Sequence, residues 1–301
     1  MATNAPPIVG DTLKVGYRFQ RYWDVSMASA FFCCELGAGL FLVSMYMGFM
    51  PGMAIGLIFA GIGKPYFHLS HMGVPMKSWR AIIRPDRSWI SRGLIGLIFF
   101  IGGGVLYLLD LKFGLLSVFG KGVGSFLQQA AALAAVLGGL VAMTYQGFAM
   151  AHSSSFALWN TGMMPISSFA YSVTCGVFGV LVLGWENFSP AQHQTLMNAA
   201  MLILLIDLVV ILSLLHGAYH GTSGGRQSVE LLLKSLYAKQ FIGLVLIVGL
   251  FIPALLLWQA GNNNVAVIIA TISILVGFYT YRVLIFKAAL YEPIMSFASP
   301  R

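Results

Sequence analysis

Charged side chains are scarce in this chain: Asp, Glu, Lys and Arg make up 9% of its 301 residues, and only nine of them are acidic. That leaves too little charge to solvate the surface of a globular domain of this size. Cysteine is nearly absent as well. Cys33 and Cys34 are neighbours, Cys175 stands alone, and there is no CxxC, so a cluster held by four thiolates cannot be built from this chain. Long polar connections are also missing, since no linker exceeds about 22 residues and segments that short rarely fold alone. Any redox centre or catalytic domain outside a membrane is therefore expected on another polypeptide.

What is present is apolar. Hydrophobic residues make up 58% of the sequence, mean hydropathy is +0.85, and a bilayer span needs roughly 20 such residues in a row. Eight runs qualify, at about 25–48, 53–72, 90–110, 126–149, 164–184, 196–217, 238–259 and 264–286. They are continuously apolar rather than alternating, which selects helices over barrel strands. The expected architecture is an all-α integral membrane protein of eight transmembrane helices in two four-helix halves. An N-terminal segment (1–24) precedes the membrane domain (25–287), which carries a basic loop at 73–89, and a tail (288–301) follows. No cleavable signal peptide is expected, because the first 20 residues hold Asp11, Lys14 and Arg18 and no apolar stretch.

The formal charge of +8 raises the question of nucleic acid, but its placement excludes that reading. Threading eight spans with both termini inside puts every Lys and Arg except Lys112 and Lys121 on or near the cytoplasmic side. The positive-inside rule then gives an N-in, C-in protein, expected in a bacterial cytoplasmic (inner) membrane in contact with lipid.

Charges inside spans cost a few kcal/mol even on lenient scales, about 2.5 to 3.5 for Lys or Asp, and so ask for a partner or a task. Glu35, Lys64 and Asp207 lie at similar depths, roughly 12 to 16 Å from the cytoplasmic end at 1.5 Å per residue. Glu35 and Lys64 either form a buried ion pair that packs consecutive helices together or serve a function, and Glu35, Lys64, Asp207 and His216 form a candidate proton relay. Pro65 should remove one hydrogen bond from the second helix and open it around a cavity. Histidines gather at the same ends: His68 and His71, His216 and His220, and His152. With Glu35, Arg92, Tyr145 and Gln146, His68 and His71 make a set of donors, acceptors and proton carriers suited to a quinone headgroup, menaquinone or ubiquinone. His71 and Arg92 would polarise its carbonyls. No metal site is expected. A haem b cytochrome anchor, ligated by histidines from two helices, and a secondary transporter with a midplane site are the alternatives.

The stretch "HLSHMGVPMKSWRAIIRPDRSWISRG" (68–93) carries five of the 17 Lys and Arg residues. Its residues His68, Leu69, Gly73, Pro75, Trp79, Arg80, Ala81, Ser88, Trp89, Ser91 and Arg92 resemble the pattern HLGxPxxxWRA…SWLSRE of the NrfD-like membrane subunits, a family that includes polysulfide reductase and dimethyl sulfoxide reductase anchors. "ELGAGLFL" in the first span and "LWNTGMMPISSF" after the fourth are similar to that family too. An insertion between Leu69 and Gly73 adds His71, and Gly93 replaces the family's acidic residue, a role Glu35 is expected to take over. The resemblance implies a subunit without its own iron-sulfur cluster. It would anchor a four-cluster ferredoxin-like iron-sulfur subunit and a molybdopterin catalytic subunit and exchange electrons with the quinone pool. Lys77, Trp79, Arg80, Arg84, Arg87 and Trp89 would form a cationic, aromatic platform for docking that iron-sulfur partner.

Overall fold

The computed structural model describes residues 17–260 and 263–292. After a short strand β1 (Arg18–Phe19), helix α1 (Val25–Tyr46) begins where Asp24 caps the backbone N–H groups of Ser26 and Met27. Helices α2 (Met50–Ile58) and α3 (Lys64–His71) are joined without a break by a π-helical turn, Phe59–Gly63. A 3₁₀ segment, Pro75–Ile82, leads to α4 (Trp89–Phe113), which Ser88 caps and which ends on Gly114 in the left-handed conformation at φ 63°. Helices α5 (Lys121–Ala151) and α6 (Met163–Leu183) follow. Then comes α7 (Pro190–Gly221), opened by a reciprocal Ser189–Gln192 capping box. Helix α8 (Ser223–Leu233) lies between α7 and the last pair. That pair is a run from α9 (Ala238–Gln240) through a π segment (Phe241–Phe251) to α10 (Ile252–Ala260), and α11 (Asn264–Lys287). Strand β2 (Leu290–Tyr291) closes the described chain by pairing antiparallel with β1.

Seven of these helical runs are long and apolar enough to cross a membrane, so the chain is an all-α, multi-pass membrane protein. Six of them coincide with expected runs as single helices and the seventh, Ala238–Gln259, with an expected run that contains the longer π segment. The expected second span, 53–72, is the run Met50–His71, interrupted by its π turn. Both π segments sit just before a proline: Pro65 follows Gly63 by two residues and Pro253 follows Phe251 by two. A proline has no N–H to give and its ring crowds the carbonyl four residues back, and widening the preceding turn relieves both problems.

Helix α1 stands between two cores. Phe31, Leu36 and Leu40 pack with α6, α7 and α11, whereas Cys34, Ala38 and Phe41 pack with α2, α4 and α5. Its small residues let neighbours touch backbone to backbone: a Cβ on Gly39 would collide with the carbonyl of Ser172 on α6.

The two ends of the described chain are tied to one end of the bundle. Gln20 N–H donates to Ala289 O at 3.0 Å, and Trp23 stacks on Trp159 with ring centroids 5.2 Å apart. Glu292 accepts from the Thr222 hydroxyl (2.7 Å), the Ser223 hydroxyl (2.9 Å) and the Gly224 N–H (2.9 Å) at the start of α8. The expected N-terminal segment and tail are thus partly joined to each other, and residues 1–16 and 293–301 of them, including most of the stretch that bears on a signal peptide, lie outside the described residues.

Replacing Gly39 by Val should separate α1 from α6 and destabilise the protein by about 1–3 kcal/mol through overpacking. Gly102→Ala, where nothing lies within 4 Å of the added Cβ, should not. Thermal unfolding in detergent, followed by circular dichroism, checks the pair.

Candidate functional site

Between α4 and α5 runs a groove of about 610 Å³, lined at one end by Trp89, Arg92 and Tyr145 and along its length by Gly96, Ala134 and Gly138. Its polar end is built by the loop that precedes α4. The indole of Trp89 lies flat on Phe148 of α5, centroids 4.3 Å apart and planes 11° from parallel. The Arg92 guanidinium sits 4.5 Å from the Trp89 ring centroid. Arg92 Nε donates to Pro85 O at 2.8 Å and Nη2 to Asp86 O at 3.0 Å, so the cation is aimed by loop carbonyls rather than neutralised by a carboxylate. Tyr145 is buried because residue 93 is glycine: any Cβ there would run into its ring. Gly93 therefore stands where the related pattern has an acid for a packing reason. Behind the tyrosine, Gln146 Nε2 donates to Tyr145 Oη at 3.3 Å while Gln146 Oε1 has no partner among the described residues. Lys64 Nζ comes within 5.5 Å of the Tyr145 ring centroid, and His68 lies one helical turn further along the same face, with Nδ1 buried and without a hydrogen bond among the described residues.

Of the residues proposed from the sequence, Lys64, His68, Tyr145, Gln146 and Arg92 are thus brought to this side of α1. His71 is held elsewhere, at the start of α1, with Nδ1 3.1 Å from Asp24 Oδ1 and 3.3 Å from Ser26 Oγ. Burial pushes the Asp24 carboxyl up, but hydrogen bonds from Ser26 and Met27 together with the His71 charge bring it below the usual carboxylate range.

Glu35 corrects the sequence reading. Its partner is Arg282 of α11, not Lys64: Arg282 Nε donates to Oε2 at 2.8 Å and Nη2 to Oε1 at 2.6 Å, and both side chains are 0% exposed. Nη2 also donates to Ser168 Oγ of α6 at 2.8 Å. The reason is angular. Consecutive residues on a helix point about 100° apart, so Cys34 faces the α2–α4–α5 core while Glu35 faces α6 and α11, and Glu35 cannot supply a carboxylate near Arg92. Asp207 lies on the same side as Glu35, accepting from Thr174 Oγ1 at 2.6 Å. His216 is exposed and packs on His220, centroids 4.6 Å apart, outside that layer.

The sequence reading missed Arg282, Ser168, Tyr171 and Tyr281. Arg282 is a charge inside an apolar run, the criterion that singled out Glu35, but it lies near the expected cytoplasmic end, where a long cation reads as reaching for the interface. On the outer face of the basic loop, Lys77, Arg80, Arg84 and Arg87 are exposed and Trp79 is 61% exposed. Trp89, placed with them from the sequence, is turned inward to the groove. Among the described residues no three His, Cys, Asp or Glu side chains are grouped to hold a metal.

A family model described as "Polysulphide reductase, NrfD" matches residues 15–292. No curated protein matches the chain significantly.

Removing one partner of the sealed ion pair strands the other charge. Glu35→Leu alone and Arg282→Met alone should each cost about 3–5 kcal/mol, whereas the double variant Glu35→Leu/Arg282→Met should recover most of that loss. Detergent-titration unfolding of the four proteins of this cycle checks it.

Proposed function

The chain belongs to the polysulphide reductase NrfD family, a membrane subunit of a respiratory oxidoreductase complex, and from that premise we propose that it is the quinone-reactive subunit of the complex. The single observation that carries the reading is the α4–α5 groove, whose apolar length ends on a loop-held Arg92 and a buried Tyr145. An apolar slot closed at one end by a few aimed polar groups is the usual form of a site for a lipid-soluble ring with carbonyl groups. Menaquinone or ubiquinone fits it: the isoprenoid chain would lie along Gly96, Ala134 and Gly138, and the ring at the Arg92–Tyr145 end. Oxidation of such a quinol releases two electrons and two protons. Arg92 would hold a ring oxygen through its guanidinium, and Trp89 keeps that guanidinium in place by stacking. Tyr145, backed by Gln146 and with Lys64 beside it, offers a hydroxyl that can donate or accept. His68 stands one turn away as a proton carrier. His71, fixed by Asp24, lies on the route by which protons would leave the bundle at its loop end.

Electrons would pass to or from an iron-sulfur subunit seated on the basic 3₁₀ segment, itself joined to a molybdopterin catalytic subunit. Exposed Lys77, Arg80, Arg84 and Arg87 supply the charge and Trp79 the apolar contact. Arg92 belongs to both surfaces, since the carbonyls that hold it are in the docking loop, so the groove and the platform are one turn of chain apart. We place this end of an eight-span bundle at the cytoplasmic side of the inner membrane, on the balance of Lys and Arg.

Arg92→Ala should raise the KM for quinol on the order of tenfold, the worth of one charge-assisted hydrogen bond. Steady-state turnover of the purified complex is the measurement, and activity of the soluble subunits with a small artificial electron donor should be unchanged. An unaltered quinol KM in both Arg92→Ala and Tyr145→Phe would remove the site. Separately, charge reversal at Lys77 and Arg80 should weaken subunit association and make it less sensitive to salt, read by copurification across an ionic-strength series.

A further inference from the structure

Four polar atoms sealed on the α6–α7–α11 side of α1 have no hydrogen-bond partner among the described residues: Asp207 Oδ1, Tyr171 Oη, Tyr281 Oη and Arg282 Nη1. They are neighbours. The Tyr171 and Tyr281 rings are 4.9 Å apart, and the Arg282 guanidinium is 5.7 Å from the Tyr281 ring centroid. Thr174, whose hydroxyl lies between Asp207 Oδ2 at 2.6 Å and Ala170 O at 2.9 Å, is one turn from Tyr171 on α6. Asp207 Oδ1 needs a partner whichever way the carboxyl stands, a donor if it is ionised and an acceptor if it carries the proton. A buried group left bare costs about 1–3 kcal/mol, so four together would consume on the order of a whole fold's stability. Such a layer stays folded if it is wet, and its polar atoms offer the several partners that an internal water requires.

We propose that these groups enclose a small internal water cluster that joins Asp207 to the Glu35–Arg282 pair and passes a proton between the two carboxyl groups. In that step the O–H bond of the Asp207 carboxyl breaks toward the adjacent water, and a proton of the water chain forms an O–H bond on Glu35. No electron moves, and Arg282 keeps its protons, serving as the fixed cation that holds Glu35 through two hydrogen bonds. The Tyr171 and Tyr281 hydroxyls, each able to donate and accept, orient the water between them. Among the described residues, the buried thiol of Cys175 lies one turn from Tyr171 on α6. Lys64 and His68 are on the opposite side of α1. None of the proposed chain lines the α4–α5 groove, so this inference does not rest on the quinone reading.

Infrared spectroscopy of the full chain in lipid nanodiscs, transferred from H₂O to D₂O, tests it without quinone, and either reading can fail alone. A carboxylic C=O band that Asp207→Asn abolishes is expected, and it should shift promptly in D₂O. Tyr171→Phe and Tyr281→Phe each remove one oxygen and no volume of consequence; combined, they should slow that shift several-fold while the thermal unfolding midpoint holds. A dry layer would leave the band unshifted. That result, the lack of any Asp207-dependent C=O band, or exchange in the double variant as fast as in the parent would each overturn the proposal.

Discussion

A carboxylate from the first span and a guanidinium from the last, both wholly enclosed, hold this bundle to one arrangement. In a membrane interior neither charge has bulk water to fall back on, so each is stabilised chiefly by contact with the other. The geometry meets that demand with two parallel hydrogen bonds and a third to Ser168, tying α1, α6 and α11 at one depth. Apolar packing could slide these helices along one another at little cost, because lipid tails and leucine side chains are equivalent partners. The ion pair cannot slide. It therefore sets the register against which the terminal strands β1 and β2, the Trp23–Trp159 stack and the Glu292 contacts close the same end.

With α1 fixed in that way, the molecule has two different interiors. On one side of α1 the polar groups are cationic or neutral and the groove opens outward between α4 and α5. On the other they include two carboxyl groups, and the space is sealed. Adjacent residues of α1, Cys34 and Glu35, mark the divide. The cation Arg92 is held in a loop-built clamp by two backbone carbonyls, and the cation Arg282 in a core-built one by a carboxylate and a serine through Nε and Nη2.

The residues that flank the groove had visible signals, since histidine, arginine and tryptophan crowded into one connection are rare in a chain this apolar. The number of apolar runs and the polarity of the 68–93 loop follow from composition and spacing, and the described helices fall where the runs lie. The π turns were less legible. Pro65 suggested an opened helix, and the structure accommodates that proline by widening the backbone before it, a choice that depends on how α1 and α4 pack against the turn.

Sequence by itself determined that the chain spans a membrane, where its helices fall and which side chains are too polar to face lipid, because each of these is a matter of local transfer energy summed along a run. It could not pair those side chains. Glu35 was matched to Lys64 by nearness in the chain, yet it meets Arg282, 247 residues away, because the direction a helix presents to its neighbours is fixed only when all the spans pack. Only the tertiary structure decided that Trp89 faces the groove rather than a partner, that Gly93 makes room for Tyr145, and that Asp207 and the two tyrosines share one enclosed layer. Such contacts depend on helix rotation and order, which hydropathy leaves undetermined because every rotation of an apolar helix is nearly equal in energy until its few polar and small residues find their mates.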